Sequence, residues 1–314
     1  MRLPRRVMLY AALIAGSVVL MFPLWWMTAL SLSTEAEARK AMTSGGVMVW
    51  PEKLEWGNYP EALQRMGAAA ARTEELPGTG AGEEAGGAAP GVQIARADPW
   101  LGFKDALANS VVITVLCVVG NVLSCSLVGY AFARLRFRGS RGLFLVTLAT
   151  MMLPQQVTMI PLFLVFRGLG WLDTILPLVV PAFFGTAFFI FMFRQFFAQQ
   201  PEEILEAARI DGASEIGVWW RVMLPICRPV AAVTAIFTFI WTWNDFLGPL
   251  IYLQSPEKFT LALALNTFKS QFGGVRDAHL LMAASVVTMI PCIALFVAAQ
   301  RHFVRGLNLG AVKG

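Results

Sequence analysis

Six apolar runs constrain this chain more than any other feature. They are Val7–Leu32, Ala106–Ala133, Gly142–Phe166, Trp171–Phe197, Val230–Leu253 and His279–Phe303. Each is long enough for a helix to cross a bilayer core, which takes about 20 apolar residues. The charge is correspondingly thin. Charged residues make up 14% of the chain, against about 25% in soluble domains, and mean hydropathy is +0.61. The expected fold is an all-α polytopic membrane protein with six transmembrane helices. The net charge of +5 is therefore no sign of a nucleic-acid partner, because in such a chain the distribution of charge over the loops carries the information.

That distribution orients the chain. Arg2, Arg5 and Arg6 precede the first run, and Arg134, Arg136, Arg138 and Arg141 follow the second. Arg194 near the end of the fourth run is followed by Arg209, Arg221 and Arg228, and Arg301, Arg305 and Lys313 close the sixth. The opposite side offers only Arg167, Lys258, Lys269 and Arg276 in its short loops. Positive residues stay inside, so both termini are expected to be cytoplasmic. The first run follows MRLPRR and precedes a cleavage-like AEA (Ala36–Ala38), but it is much longer than a signal peptide's apolar region. It reads as a retained helix.

Four regions result. Residues 1–32 form a tail and first helix, and residues 33–105 an extracytoplasmic loop. Residues 106–303 are the membrane core, and residues 304–314 a cytoplasmic tail. Within the outer loop, Trp50–Met66 has tryptophans and a short helical pattern, which suits packing on the outer face. Gly67–Gly91 is rich in Ala, Gly and Glu and is expected to be mobile, since it has little apolar surface to offset ordering entropy. Cys117, Cys125, Cys227 and Cys292 form no CxxC pair and read as small buried hydrophobes. His279 and His302 lack metal-ligand spacing, so no metal site is expected. With no cluster of His, Asp, Glu or Cys, nothing points to a catalytic residue.

One stretch breaks the apolar pattern. PEEILEAARIDGASEIGVWWRVMLP (Pro201–Pro225) lies between the fourth and fifth runs, on the cytoplasmic side. Pro201 suits the start of a helix, with Glu202 and Glu203 in its first turn. Glu206 and Arg209 can pair one turn apart. Asp211-Gly212 is a stop signal, after which Ser214 and Glu215 open a second short helix that Pro225 ends. The first helix would be about 15 Å long, half a bilayer core. The residues leave two readings open, a solvated linker or a docking element.

The order EAARIDGA (Glu206–Ala213), followed by Leu224-Pro225, resembles the EAA loop of binding-protein-dependent ABC importer permeases. NSVVITV (Asn109–Val115), MMLPQQVTMIPLF (Met151–Phe163), WTWNDFLGPLIYL (Trp241–Leu253) and the tail QRHFVRGLNLGAVKG (Gln300–Gly314) are similar to the carbohydrate branch of that family, maltose-type permeases. The resemblance implies the type I importer fold, with Glu206, Ala207, Ala208, Asp211, Gly212, Ala213, Leu224 and Pro225 coupling to a cytoplasmic ATPase. It also implies a second, different permease subunit, two ATPase copies, an extracytoplasmic solute-binding protein and a sugar substrate. The Gly67–Gly91 insert departs from the family pattern.

The chain has no GxxxxGK[ST] and no Gly-Lys pair, so the phosphate-cradling loop is missing. ATP and Mg are expected on the partner ATPase, with no cofactor on this chain. Two polar groups interrupt the apolar runs. Gln155 and Gln156 sit between Pro154 and Pro161, either in a kinked packed helix or facing a path for a polyol. Trp243, Asn244 and Asp245 form the other group; the acid either caps or faces the path, and the aromatics form an interfacial belt or line a cavity. The rival class is an ion-coupled secondary transporter, for which Asp245 is the one clear intramembrane acid.

Overall fold

The computed structural model describes residues 3–44, 50–72, 99–272 and 274–308. Among them every regular element is helical. The chain divides into two compact units, residues 1–105 with 263–290, and residues 106–262 with 291–314. Residues 73–91 of the expected mobile insert lie outside the described residues; its first residues continue the helix before it.

In the first unit, α1 (Leu3–Ser31) leaves apolar side chains from Val7 to Met21 exposed, as a lipid-facing helix does. Its last turn is anchored. The Asn58 amide donates to the carbonyls of Ser31 and Ser33 at 2.9 and 2.8 Å. A helix absent from the sequence expectation, α2 (Glu35–Ser44), follows at once. Its start is a capping box: Glu37 Oε2 accepts from the Thr34 amide at 2.9 Å, and the Glu37 amide donates to Thr34 Oγ1 at 3.4 Å. Ala38 and Ala41 pack with Leu30, Trp26 and Met282. The helical pattern seen near Trp50–Met66 is α3 (Asn58–Arg72).

The second unit contains most of the membrane core. Among the described residues of both units, four segments are long and apolar enough to cross a bilayer: Val7–Ser31, Gly102–Arg134, Leu176–Ala198 and Val275–Ala299. The second of these lies in α4 (Pro99–Arg134), which begins before the expected boundary. Three of the expected spans are interrupted, the third, the fourth and the fifth. The third is α5 (Ser140–Thr150) and α6 (Gln155–Gly168), parted at residues 151–154. Pro154 lacks an N–H and restricts Leu153, so the helix restarts after it, while Pro161 stays within α6. The fourth is α7 (Leu176–Val179), a 3-10 turn (Val180–Phe184) and α8 (Ala187–Ala198), with Gly185 left-handed at φ +84° between them. Residues Trp171–Ile175, expected in that span, are a turn.

The stretch Pro201–Pro225 forms α9 (Glu202–Ile210), α10 (Glu215–Val218), a π turn (Trp219–Met223) and α11 (Leu224–Ile226). Pro225 lies inside α11 rather than ending the helix. The chain turns by 80° at Cys227 into α12 (Arg228–Trp243). The fifth run is thus α12 and α13 (Leu247–Tyr252), interrupted at residues 244–246. An unanticipated α14 (Leu261–Phe272) precedes the last span, α15 (Ala278–Asn308). NSVVITV ties down the loop that leads into α14. Asn109 donates to the Glu257 carbonyl at 2.7 Å, and Ser110 Oγ accepts from the Leu261 amide at 2.7 Å.

Candidate functional site

The α9–α10 hairpin is built from local rules. The Gly212 amide donates to the Arg209 carbonyl, and the Ala213 amide reaches back to Ala208, both at 3.0 Å. That pair of bonds is a Schellman stop, and it places Gly212 at the left-handed position with φ +81°. Ser214 Oγ then caps α10 by accepting from the Gly217 amide at 3.2 Å. One face of the hairpin is buried. Leu205, Val218, Trp219 and Met223 pack with Tyr130 of α4 and Phe193 and Phe197 of α8. Ala208 and Ala213 close over the same cluster.

Polar contacts lock that packing. Arg209 Nε donates to Glu215 Oε1 at 2.9 Å, in place of the expected Glu206 pairing. Tyr130 Oη donates to Glu215 Oε2 at 2.6 Å. The Arg209 hydrogen bond, then that from Tyr130, hold the Glu215 carboxyl below its usual range against the opposing effect of burial. Arg134, at the end of α4, donates to the carbonyls of Phe197 at 2.6 Å and of Gln200. The hairpin is therefore fixed to two spans at once. Its outer face presents Glu206, Ala207 and Asp211, with Ile210 85% and Ile216 69% exposed. Isoleucines that open to solvent on both sides of a fixed turn form a ready contact surface for a partner. Leu224 and Pro225 lie at the far end, where α11 meets the 80° bend. Tyr130, Ile210 and Ile216 were not singled out from the sequence.

The expected pathway residues separate. Gln156 and Asp245 line one cavity of about 120 Å³ with Thr158, Met159 and Tyr252. Asp245 also caps α13, its Oδ1 accepting from the Gly248 amide at 3.1 Å. Trp243 is buried and stacks on Phe239 at 5.4 Å. Asn244 ends α12 by donating to the Ile240 carbonyl at 2.7 Å. Neither lines that cavity. Gln155 opens α6, and its side chain lies outside the described residues. A larger cavity, about 580 Å³, opens beside Asn121, Thr150, Thr186 and Thr242. It escaped sequence reasoning, for which the only signals were an amide inside an apolar run and the Gly185-Thr186 pair.

The described residues thus combine apolar helices long enough to cross a bilayer with a packed polar hairpin, α9–α10. The chain belongs to the family of inner-membrane components of binding-protein-dependent transport systems, whose family model matches residues 125–309. It is thus a transport subunit of the cytoplasmic membrane, and ATP hydrolysis belongs to another subunit. The arabinooligosaccharides transport system permease protein AraQ of Halalkalibacterium halodurans is 39% identical over 206 residues, which cover 66% of this chain and 73% of that protein. The sn-glycerol-3-phosphate transport system permease protein UgpE of Yersinia enterocolitica is 35% identical over 205 residues, covering 65% and 73%. A crystal structure of a bacterial ABC transporter involved in the import of the acidic polysaccharide alginate shares the fold. Its TM-score is 0.71 at 24% identity, over 96% of this chain and 98% of that chain.

Proposed function

We propose that this chain is one of two different permease subunits in an ATP-driven importer of a carbohydrate or related polyol. The relatives named for arabinooligosaccharides and glycerol 3-phosphate support that substrate class. The core crosses the membrane six times, with the broken third and fifth runs each counted as a span, and both termini face the cytoplasm. Two ATPase subunits sit below and bind ATP and Mg, and a soluble binding protein delivers solute from outside. The observation that carries the reading is the hairpin's division into a locked face and an open one. Glu206, Ala207, Ala208, Asp211, Gly212 and Ala213 form the coupling element, and Leu224 and Pro225 carry its motion into α12. Closure of the ATPase pair moves α9 as a rigid body. Arg209, Glu215 and Tyr130 pass the displacement to α4, and Arg134 passes it to α8.

Family membership disfavours an ion-coupled secondary transporter. The capping role of Asp245 agrees with that, since the carboxylate already accepts a backbone bond. The test is Gly212→Val in the assembled importer. Uptake should fall at least tenfold while the ATPase subunits still hydrolyse ATP. Wild-type uptake in that variant sinks the coupling assignment.

A further inference from the structure

The 580 Å³ cavity has no place in the coupling machinery, and its lining is chemically selective. Cys117 and Asn121 come from α4, Thr150 from the end of α5 and Met151 from the break after it, Gly185 and Thr186 from the break before α8, Phe188 from the first turn of α8, and Thr242 from α12. Two interruptions of spanning helices therefore open onto one space. Irregular backbone within a membrane is tolerated where it is buried in protein or lines a water-filled cavity. Asn121 lies about 20 Å before α4 ends at Arg134, at ~1.5 Å per residue, well inside the apolar run. The volume falls in the range of about 300–1,000 Å³ typical of small-molecule sites.

Asn121 is the polar centre of this space. It is only 7% exposed. Its Oδ1 accepts from Thr186 Oγ1 at 2.8 Å, with Cys125 Sγ further off at 3.7 Å. Those bonds fix the carboxamide. Its Nδ2 has no protein acceptor among the described residues, although Nδ2 is not sealed from solvent-accessible space. An amide donor that reaches a solvent-accessible cavity is available to water or to a hydroxylated ligand. Beside it stand the hydroxyls of Thr150, Thr186 and Thr242 and the half-open ring of Phe188. Among the described residues, the lining holds no Asp, Glu, Lys or Arg. A phosphate or carboxylate would be desolvated there with no counter-charge.

We propose that this cavity is a transit site for a neutral, hydroxylated solute, with the Asn121 carboxamide as its hydrogen-bond donor and Thr186 as the residue that holds the amide in place. The proposal rests on the importer reading above and narrows it. Uncharged sugars pass, and anionic polyols such as glycerol 3-phosphate do not.

The test uses the complete importer, with its own ATPase and binding protein, in liposomes. Uptake of sn-glycerol 3-phosphate is compared with that of neutral sugars from xylose to arabinotriose and maltotriose, for wild type, Asn121→Ala and Thr186→Val. Wild type should take up a neutral sugar and not glycerol 3-phosphate. Asn121→Ala should reduce that uptake about tenfold, the scale of one lost hydrogen bond to the solute. Thr186→Val, which frees the amide to turn, should reduce it less. ATP hydrolysis in the absence of binding protein should not change in either variant. Unchanged uptake in Asn121→Ala overturns the proposal, as does a wild type that prefers glycerol 3-phosphate or accepts no neutral sugar. If both variants lose the second permease subunit on purification, the cavity is a packing surface for that subunit, and the proposal again fails. The importer reading fails separately, and only if uptake needs neither ATP nor the binding protein.

Discussion

Gly212 holds φ +81°, and a β-carbon there would meet nothing within 4 Å. The requirement for glycine is thus conformational, not spatial. A left-handed residue with a β-carbon costs about 1–2 kcal/mol, and a β-branched one more, whereas asparagine visits that region readily. Gly212→Asn should therefore retain most transport where Gly212→Val loses it. Equal losses would mean that the backbone angle is not what matters. The Glu215 carboxylate makes a second prediction at this scale. Its side chain is 44% exposed, so solvent screens the Arg209 pair and its net value is at most about 1 kcal/mol. Glu215→Gln should leave overall stability nearly unchanged, yet raise hydrogen exchange in residues 202–218, because Tyr130 and Arg209 lose their shared anchor. Protection equal to wild type would remove Glu215 from the coupling path.

Among the elements, the α6–α7 turn and the loop after α13 are held together by Asp173. It is left-handed at φ 56°, in the turn between α6 and α7. Its Oδ1 accepts from the amides of Gln254 and Ser255 at 2.9 Å each, and its Oδ2 from Ser255 Oγ and Lys258 Nζ at 2.6 Å. The loop after α13 is thereby fastened to the start of the fourth run. Burial raises the Asp173 carboxyl, but these donors more than offset it and hold the group well below the usual carboxylate range. A depressed folded value means the stabilisation is present above the unfolded value, about 3.9, and fades as pH drops below it. Asp173→Asn keeps the left-handed turn and removes the charge. At pH 7 it should lower stability by about 1–3 kcal/mol, read as faster proteolysis of the 253–259 loop, and the gap from wild type should shrink below about pH 4. A gap that persists there would exclude the ionised carboxylate as its cause. The helix ends show what sequence can and cannot resolve. The α9 stop and the α10 start were legible, because Gly212 and Ser214 act on neighbours within one turn. The breaks at 151–154 and 244–246 were not, because a proline or a capping acid permits either a kink or a full interruption, and packing decides between them.

At the level of the whole molecule, the existence of apolar spans was legible because lipid imposes a length on each of them. The site was legible only in its local half. Asn121 and Thr186 are 65 residues apart, and Tyr130 and Glu215 are 85 apart, so no spacing rule joins them. The first pair arises where α4 meets the start of α8, and the second where α4 meets the start of α10. The energy source is likewise visible only by its absence from the chain: no phosphate-binding loop exists in the sequence, while the hairpin leaves Ile210 and Ile216 exposed, on the side that the Arg distribution predicts to be cytoplasmic. A lever needs a driver, and a cavity open on one flank needs a second wall. Purified from its native membrane in mild detergent and weighed intact, this chain should therefore travel with one different permease subunit and two ATPase copies. Ile210→Asp with Ile216→Asp should release the ATPase copies and leave the permease pair intact, since a charge at each end of the docking face costs more than the contact returns. A chain that runs alone or as a homo-oligomer and still transports without any ATPase would return the hairpin to the status of a linker, and would make Asp245 the first residue to examine for ion coupling.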